Sequence, residues 1–284
     1  MSKRKISLVL EGGGMRGAYT AGALSWLIDN NIEFSSAYGI STGAVHLCNY
    51  LLKNKDNLFN FSINYITDKS IMGLPAILRC GLFVDYDYMF DEILVKKAHF
   101  DISPLKNIKT NAKVGLYEFK EQETIYHSLK DIQMEELKGA CTLPLLGKYA
   151  SINDRKFLDG GITKMIPIEE AIKDENDAHI VITTKPSGFI RKPSNKFVVF
   201  LMKIFYKSCP QLYKDYAIRD TNYNKQIAII NEQVILKKAL YIYPSKASNV
   251  SRLGGSKQEL IDLYNLGRSD MEAKKEEIFD LFKI

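Results

Sequence analysis

The near-continuous apolar run ISLVL at residues 6–10 ends at Glu11 and passes straight into glycines, GGGMRG over 12–17. Behind them Ala18, Ala21, Ala23, Leu24, Trp26, Leu27 and Ile28 fall at helical spacing. A strand over 5–10, a glycine turn and a helix in that order constrain the fold more than any other feature, because a short strand apolar throughout must be covered on both faces. The unit recurs, since SAYGI at 36–40 reads as a second strand and runs into the helix-like STGAVHLCNYLL. Further strands are predicted at 113–119, 124–127, 179–184 and 239–244, with helical patterns between most of them. Alternation of this kind predicts an α/β fold with a mostly parallel central sheet.

At 284 residues the chain can bury one substantial core, and it is read as a single domain over 1–284. The net charge of +6 is too mild to argue for nucleic acid, and no basic stripe with stacking aromatics accompanies it, so no nucleic-acid partner is expected. Cys48, Cys80, Cys141 and Cys209 lie far apart without a Cys-x-x-Cys pair, which predicts reduced thiols, no zinc site and a cytoplasmic location. The apolar stretch after MSKRK is too short for a signal-peptide core or a membrane span. Asp85, Asp87, Asp91 and Glu92 cluster without EF-hand spacing and read as solvated helix-start residues, so no metal is expected.

The stretch 185–225 differs in character. It carries nine Lys and Arg residues against Asp215 and Asp220, a local +7 that accounts for the whole net charge. Inside it, FVVFLMKIFY at 197–206 is almost wholly apolar with lysines at both ends. The simpler reading is a core helix with solvated lysine tips. The alternative is a lid, or a peripheral membrane contact through residues 196–207, since basic flanks attract anionic headgroups. Residues 186–193 read as an exposed loop, and the patterns from Gly255 onward as amphipathic packing helices.

The glycine turn can be read two ways. Gly12, Gly14 and Gly17 satisfy Gly-x-Gly-x-x-Gly in the context a dinucleotide site demands. Such a site also wants an acidic residue at the end of the second strand. Here that place holds Gly39, Ile40 and Ser41, while Asp29 and Glu33 precede the strand. A nucleotide-binding protein is therefore the weaker alternative. The other reading starts at GISTG, 39–43, which fits Gly-x-Ser-x-Gly between strand and helix, a nucleophile elbow. The sharp turn projects Ser41, and Gly39 and Gly43 relieve its crowding. An acyl-transfer site then needs donors for an oxyanion, and backbone amides of the turn Gly12, Gly13, Gly14, Met15, Arg16 and Gly17 can supply them. Arg16 adds a fixed positive charge there, either tethering the turn or supporting the oxyanion.

Serine needs a proton acceptor. His46 lies on the helix that follows Ser41 and should point away from it, and His99 and His127 have no catalytic neighbourhood. His179 would complete a Ser41, Asp159, His179 order as in α/β-hydrolases, but it opens a strand, whereas catalytic residues in parallel sheets sit at strand carboxyl ends. Asp159 is the better acceptor, because Gly160 and Gly161 behind it allow a tight turn, and partial desolvation can raise a carboxylate's pKa.

Taken together, GGGMRG at 12–17, GISTG at 39–43 and DGG at 159–161 resemble the patatin-like phospholipase family, in order and spacing. ACTLP at 140–144 is similar to the family's segment before the aspartate, with Cys141 in the serine place. The resemblance covers residues 6–185, a catalytic core, and the mainly helical 186–284 would pack on it. It implies a three-layer α/β/α fold, a Ser41-Asp159 dyad, an oxyanion hole from the amides of Gly13, Gly14 and Met15, hydrolysis of lipid acyl esters, and no metal or organic cofactor. Lys164 departs from the asparagine many members carry after the Asp-Gly-Gly turn.

Overall fold

A computed structural model describes residues 4–283. Residues 1–3 and 284 of the predicted domain lie outside the described residues. Eight strands are formed among the described residues: β1 (Ile6–Leu10), β2 (Ser36–Ile40), β3 (Asn111–Glu118), β4 (Glu123–Ser128), β5 (Ala150–Ile152), β6 (Arg155–Asp159), β7 (Ala178–Ile182) and β8 (Ala239–Ile242). They make one sheet in the order β5-β6-β3-β2-β1-β7-β8, with β4 on the other edge of β3. The run β3-β2-β1-β7-β8 is parallel, as the alternating pattern predicts. The β3–β4, β3–β6 and β5–β6 pairings are antiparallel, so the sheet is mixed at that side.

β1 and β2 are buried at every position, and their side chains divide by period two between two cores. Leu8 and Leu10 join α1 (Gly17–Asp29), α2 (Thr42–Leu51) and the helix Lys257–Ala273 through residues such as Leu24, Val45 and Leu260. Val9, Tyr38 and Val181 face the opposite way, onto Ile168, Ala171, Tyr223 and Ile230 of the helices Ile168–Lys173 and Arg219–Ile235. Helices on both faces of a sheet make the three layers. The helix Lys257–Ala273 is fixed on α1 by polar contacts as well, with Tyr264 Oη donating to Ser25 Oγ at 2.6 Å and Trp26 Nε1 to Glu272 at 2.6 Å.

The edge of β3 facing β2 is shared by two strands that approach head to head. β2 runs parallel to β3 until Ile40 faces Gly115, and β6 arrives antiparallel so that Asp159 faces Leu116. β4 occupies the other edge of β3 along the same residues. β6 comes from a hairpin with β5, turned at Asn153 and Asp154, both at positive φ (48° and 61°), the left-handed pair a two-residue hairpin turn requires.

Two expectations fail in the peripheral segments. The apolar run forms the helix Lys196–Phe205, but it is not a core helix: Phe197 is 65 % exposed and Phe205 70 %, Phe200 and Ile204 are also exposed, and within the helix only Met202 is buried. A run of nonpolar residues carries no information about whether a neighbour covers it. The helix Leu74–Cys80 likewise exposes Leu74 and Leu78, at 67 % and 79 %. Among the described residues no helix is long and apolar enough to cross a membrane. In the acidic cluster Asp87, Asp91 and Glu92 are exposed around the start of the helix Tyr88–Lys97, as expected, but Asp85 is not solvated. It is buried, pairs with Arg79 Nε at 2.5 Å and accepts from the Tyr88 amide at 2.9 Å, while Asp87 pairs with Lys138.

Candidate active site

Ser41 occupies the tip of the turn between β2 and α2 with φ 56° and ψ −128°. A non-glycine residue pays about 1–3 kcal/mol for such a conformation, which persists only where surroundings enforce it. They do so here by close packing. A Cβ at Gly39 would stand 2.7 Å from the Gly43 carbonyl oxygen, and one at Gly43 2.8 Å from that of Glu11, so both flanks of the serine must be glycine. The side chain is thereby held at the carboxyl end of the sheet, on the N-terminus of α2.

Asp159 ends β6 beside it, and both line one cavity of about 230 Å³. The carboxylate is buried, with Oδ1 accepting from the Gly161 amide at 2.7 Å, and the Asp159 amide donates to the Thr142 carbonyl at 2.9 Å. Burial pushes the Asp159 carboxyl above its ordinary range; the Ser41 hydroxyl, the Gly161 amide and the Arg219 and Arg252 guanidinium groups oppose that shift. The proximity follows from the register, in which Ile40 and Asp159 face consecutive residues of β3.

The glycine turn offers fewer free amides than its sequence implies. The Gly12 amide donates to the Met165 carbonyl and the Met15 amide to the Arg252 carbonyl, at 3.1 and 3.0 Å, and the Gly17 amide is used inside the turn by the carbonyls of Gly14 and Met15. Gly12, Met15 and Gly17 therefore cannot serve as amide donors to a substrate in this arrangement. The Gly13 amide has a long bond to Thr42 Oγ1, 3.2 Å, and the Gly14 amide has no acceptor among the described residues. Gly14 is at φ 59°, and a Cβ there would fall 2.2 Å from the Arg252 carbonyl oxygen, so only glycine fits. The same bonding leaves the turn fewer amides than a pyrophosphate loop presents, which weighs against the nucleotide alternative. Arg16 does not tether the turn through Nε, which is buried without a partner.

The histidines are elsewhere. His179 lies inside β7, its Nδ1 2.7 Å from Ser7 Oγ near the amino ends of the strands. Ser7 also faces Ser36, five residues before Ser41, roughly 16 Å of extended chain at ~3.3 Å per residue. The Ser41-Asp159-His179 triad is thus ruled out by strand polarity. His46 is buried 3.4 Å from Ser62 Oγ, and burial depresses both His46 and His179 to about 4. His127 pairs with Glu136 at 2.8 Å. Lys164 turns away to Glu169, outside the cavity.

Residues 8–172, more than half of the chain, match the family described as patatin-like phospholipase. The chain belongs to that family. It is on that ground a hydrolase of ester bonds, with lipid acyl esters as the class of substrate. A second match, to a domain of unknown function (DUF6363), covers residues 209–283. The chain is 24% identical over 272 residues to the uncharacterized protein YjjU of Escherichia coli (strain K12), covering 93% of this chain and 75% of that one. It is 22% identical over 287 residues to the probable lipid hydrolase 463L of Invertebrate iridescent virus 6, covering 93% and 91%. The crystal structure of VipD from Legionella pneumophila is similar at TM-score 0.49 and 11% identity, covering 95% of this chain and 66% of that one.

What sequence reading misses in this patatin-like chain is the cationic wall of the cavity. Lys185, Arg191, Arg219 and Arg252 join Arg16 there, and those four come from beyond the family match. Arg219 is buried and its Nε donates to the Gly161 carbonyl at 3.1 Å, bracing the Asp-Gly-Gly turn. Burial, then the nearby Arg191, brings its guanidinium down to about 10. A second, apolar cavity of about 60 Å³ also reaches Ser41, lined by Phe61, Ile71, Met72, Met89 and Cys141.

Proposed function

We propose that the protein is a serine lipid acyl hydrolase working through a Ser41-Asp159 dyad. Ser41 Oγ attacks the ester carbonyl while Asp159 takes its proton. The oxyanion of the tetrahedral intermediate is met by the Gly14 amide, with the Gly13 amide released from its long contact to Thr42. Asp159 returns the proton to the leaving alkoxide, giving a free alcohol and an acyl-Ser41 ester. Water, deprotonated by Asp159, then attacks that ester and liberates the acid and Ser41. A carboxylate raised by burial holds a proton more readily than an exposed one, which suits a base that must take a proton and return it.

The observation that carries this reading is the abutment of β2 and β6 on one edge of β3, with a strained Ser41 at one strand end and a buried Asp159 at the other. The catalytic core is taken as 6–185, with 186–284 folded onto it in one domain. The apolar cavity suits the acyl chain, and the exposed helices Leu74–Cys80 and Lys196–Phe205 suit a lipid surface. The residues that follow each helix meet the segment after Leu143: the Val84 amide donates to the Leu146 carbonyl at 2.8 Å, and Tyr206 Oη accepts from the Leu145 amide at 3.0 Å. Lys196, Lys203 and Lys207, all exposed, complement anionic headgroups. A fluorophosphonate probe labels the wild type and not Ser41→Ala. Equal labelling of the two overturns the assignment.

A further inference from the structure

The cavity beside Ser41 is electrostatically unbalanced. Arg16, Lys185, Arg191, Arg219 and Arg252 line it against only Glu11 and Asp159, five positive less two negative, a formal excess of +3. Among the described residues none of the five is in an ion pair. Glu11 is occupied by the Thr184 amide and hydroxyl, and Arg16 Nε is buried with nothing to donate to. Burial depresses Arg16, Arg191 and Lys185, and mutual repulsion among these cations adds to it. Like charges drawn out of water toward one space are costly unless an anion enters it.

The position of this space relative to the apolar cavity decides which part of a substrate it meets. The two cavities share Gly14, Ser41, Leu143 and Arg252, so Ser41 stands at their junction. A carbonyl at Ser41 with its acyl chain on the apolar side directs its alcohol portion to the cationic side. Resting on the reading of Ser41 as nucleophile, we propose that the alcohol portion of the substrate ends in a phosphate monoester rather than a phosphodiester headgroup, bound by Arg16, Lys185, Arg191 and Arg252. The excess charge favours a phosphate monoester, which brings two negative charges, and opposes a headgroup bearing its own cation. Planar guanidinium groups match phosphate oxygens in pairs.

The test compares kcat/KM for three soluble esters of one acyl chain: a monoacylglycerol 3-phosphate, the corresponding phosphocholine and the uncharged monoacylglycerol. The phosphate monoester is expected to exceed the other two by roughly 10- to 100-fold, the scale of one or two charged hydrogen bonds. That preference shrinks to within a few-fold in Arg191→Gln/Arg252→Gln, and it persists in Lys237→Gln/Lys238→Gln, which removes the same two charges from exposed residues at the amino end of β8, on the rim of the sheet opposite Ser41. Equal hydrolysis of the three by the wild type overturns the phosphate subsite while leaving the hydrolase standing, and failure to hydrolyse any overturns both. Inorganic phosphate is added as a competitor against the uncharged ester. If it inhibits although the phosphate monoester is not preferred, the cavity takes free phosphate and the substrate assignment falls. The wild-type ratio decides the matter even if the double variant fails to fold.

Discussion

Ser41 and Asp159 are brought together by backbone register: Ile40 faces Gly115 and Asp159 faces Leu116, so the last residue of one strand and the last of another meet along a third. Their proximity therefore depends on strand pairing rather than on long side chains reaching across a gap. Pairing of this kind resists thermal motion, and it explains how a site of only two side chains can hold its geometry.

The strained serine predicts a trade of stability against activity. Ser41→Gly relieves φ 56°, and it should be more stable than Ser41→Ala by about 1–3 kcal/mol, or roughly 2–4 °C in Tm per kcal/mol. Both variants lose probe labelling. Calorimetry giving equal Tm values for the two would mean that the elbow stores no strain.

The raised carboxyl of Asp159 sets the acid limb of kcat/KM, which should lie above the ordinary carboxylate range. Arg219 favours the charged form of Asp159, so its removal raises the carboxyl further, and Arg219→Gln should move the limb to higher pH. Asp159→Asn should abolish the limb together with nearly all turnover. A limb unmoved in Arg219→Gln would separate Asp159 from the titration.

His179 should be dispensable for chemistry and matter for acid stability. His179→Ala is expected to hydrolyse esters near the wild-type rate. Folded His46 and His179 stay neutral down to about 4, whereas unfolded imidazole protonates near 6.5, so their contribution is complete above about pH 6.5 and is lost as pH falls toward 4. Denaturation against pH should be flatter in His179→Asn across that window. Loss of turnover in His179→Ala, with the protein folded, would restore the triad.

Contact with lipid should depend on the exposed helix Lys196–Phe205. Flotation with vesicles containing anionic lipid should recover the wild type, and Phe200→Glu/Phe205→Glu should weaken recovery at least tenfold, since burying one such side chain is worth about 1.5–3 kcal/mol. Recovery of the double variant at the wild-type level would leave this face without a membrane role.

Lys185, brought down by burial and by the Arg16 charge to about 8, predicts an alkaline limb specific to anionic substrate. Above that pH the cavity loses one positive charge, so kcat/KM for the phosphate monoester should fall while that for the uncharged ester holds. Lys185→Met should remove the difference. Parallel alkaline limbs for both esters would assign the titration to another group.

The β1 and β2 turns were legible because each packs its meaning into six or so consecutive residues, and GISTG and GGGMRG keep their roles in shaping the backbone. The oxyanion donors were only partly legible. Nothing in GGGMRG reveals that the Gly12 and Met15 amides are taken by Met165 and Arg252, residues far away in sequence. The hairpin bearing Asp159 escaped the strand reading because β5 is three residues long, and the first two residues of β6 are exposed, although Asn153-Asp154 carried its turn signal. Lys185, Arg191 and Arg219 belong to the basic stretch 185–225, but nothing in their spacing shows that the fold turns them, with Arg252, onto one cavity. In the helix Lys196–Phe205 the apolar run suggests a covered helix, and the exposure of Phe197, Phe200 and Phe205 overturns that, because composition does not say which neighbour will pack on a face.

The bond from the Met15 amide to the Arg252 carbonyl ties the first loop of the chain to one made near its end. During synthesis the serine turn leaves the ribosome long before the segment that shapes the opposite wall. The cavity beside Ser41 therefore takes its shape only once the segment carrying Arg252 has docked on the glycine turn.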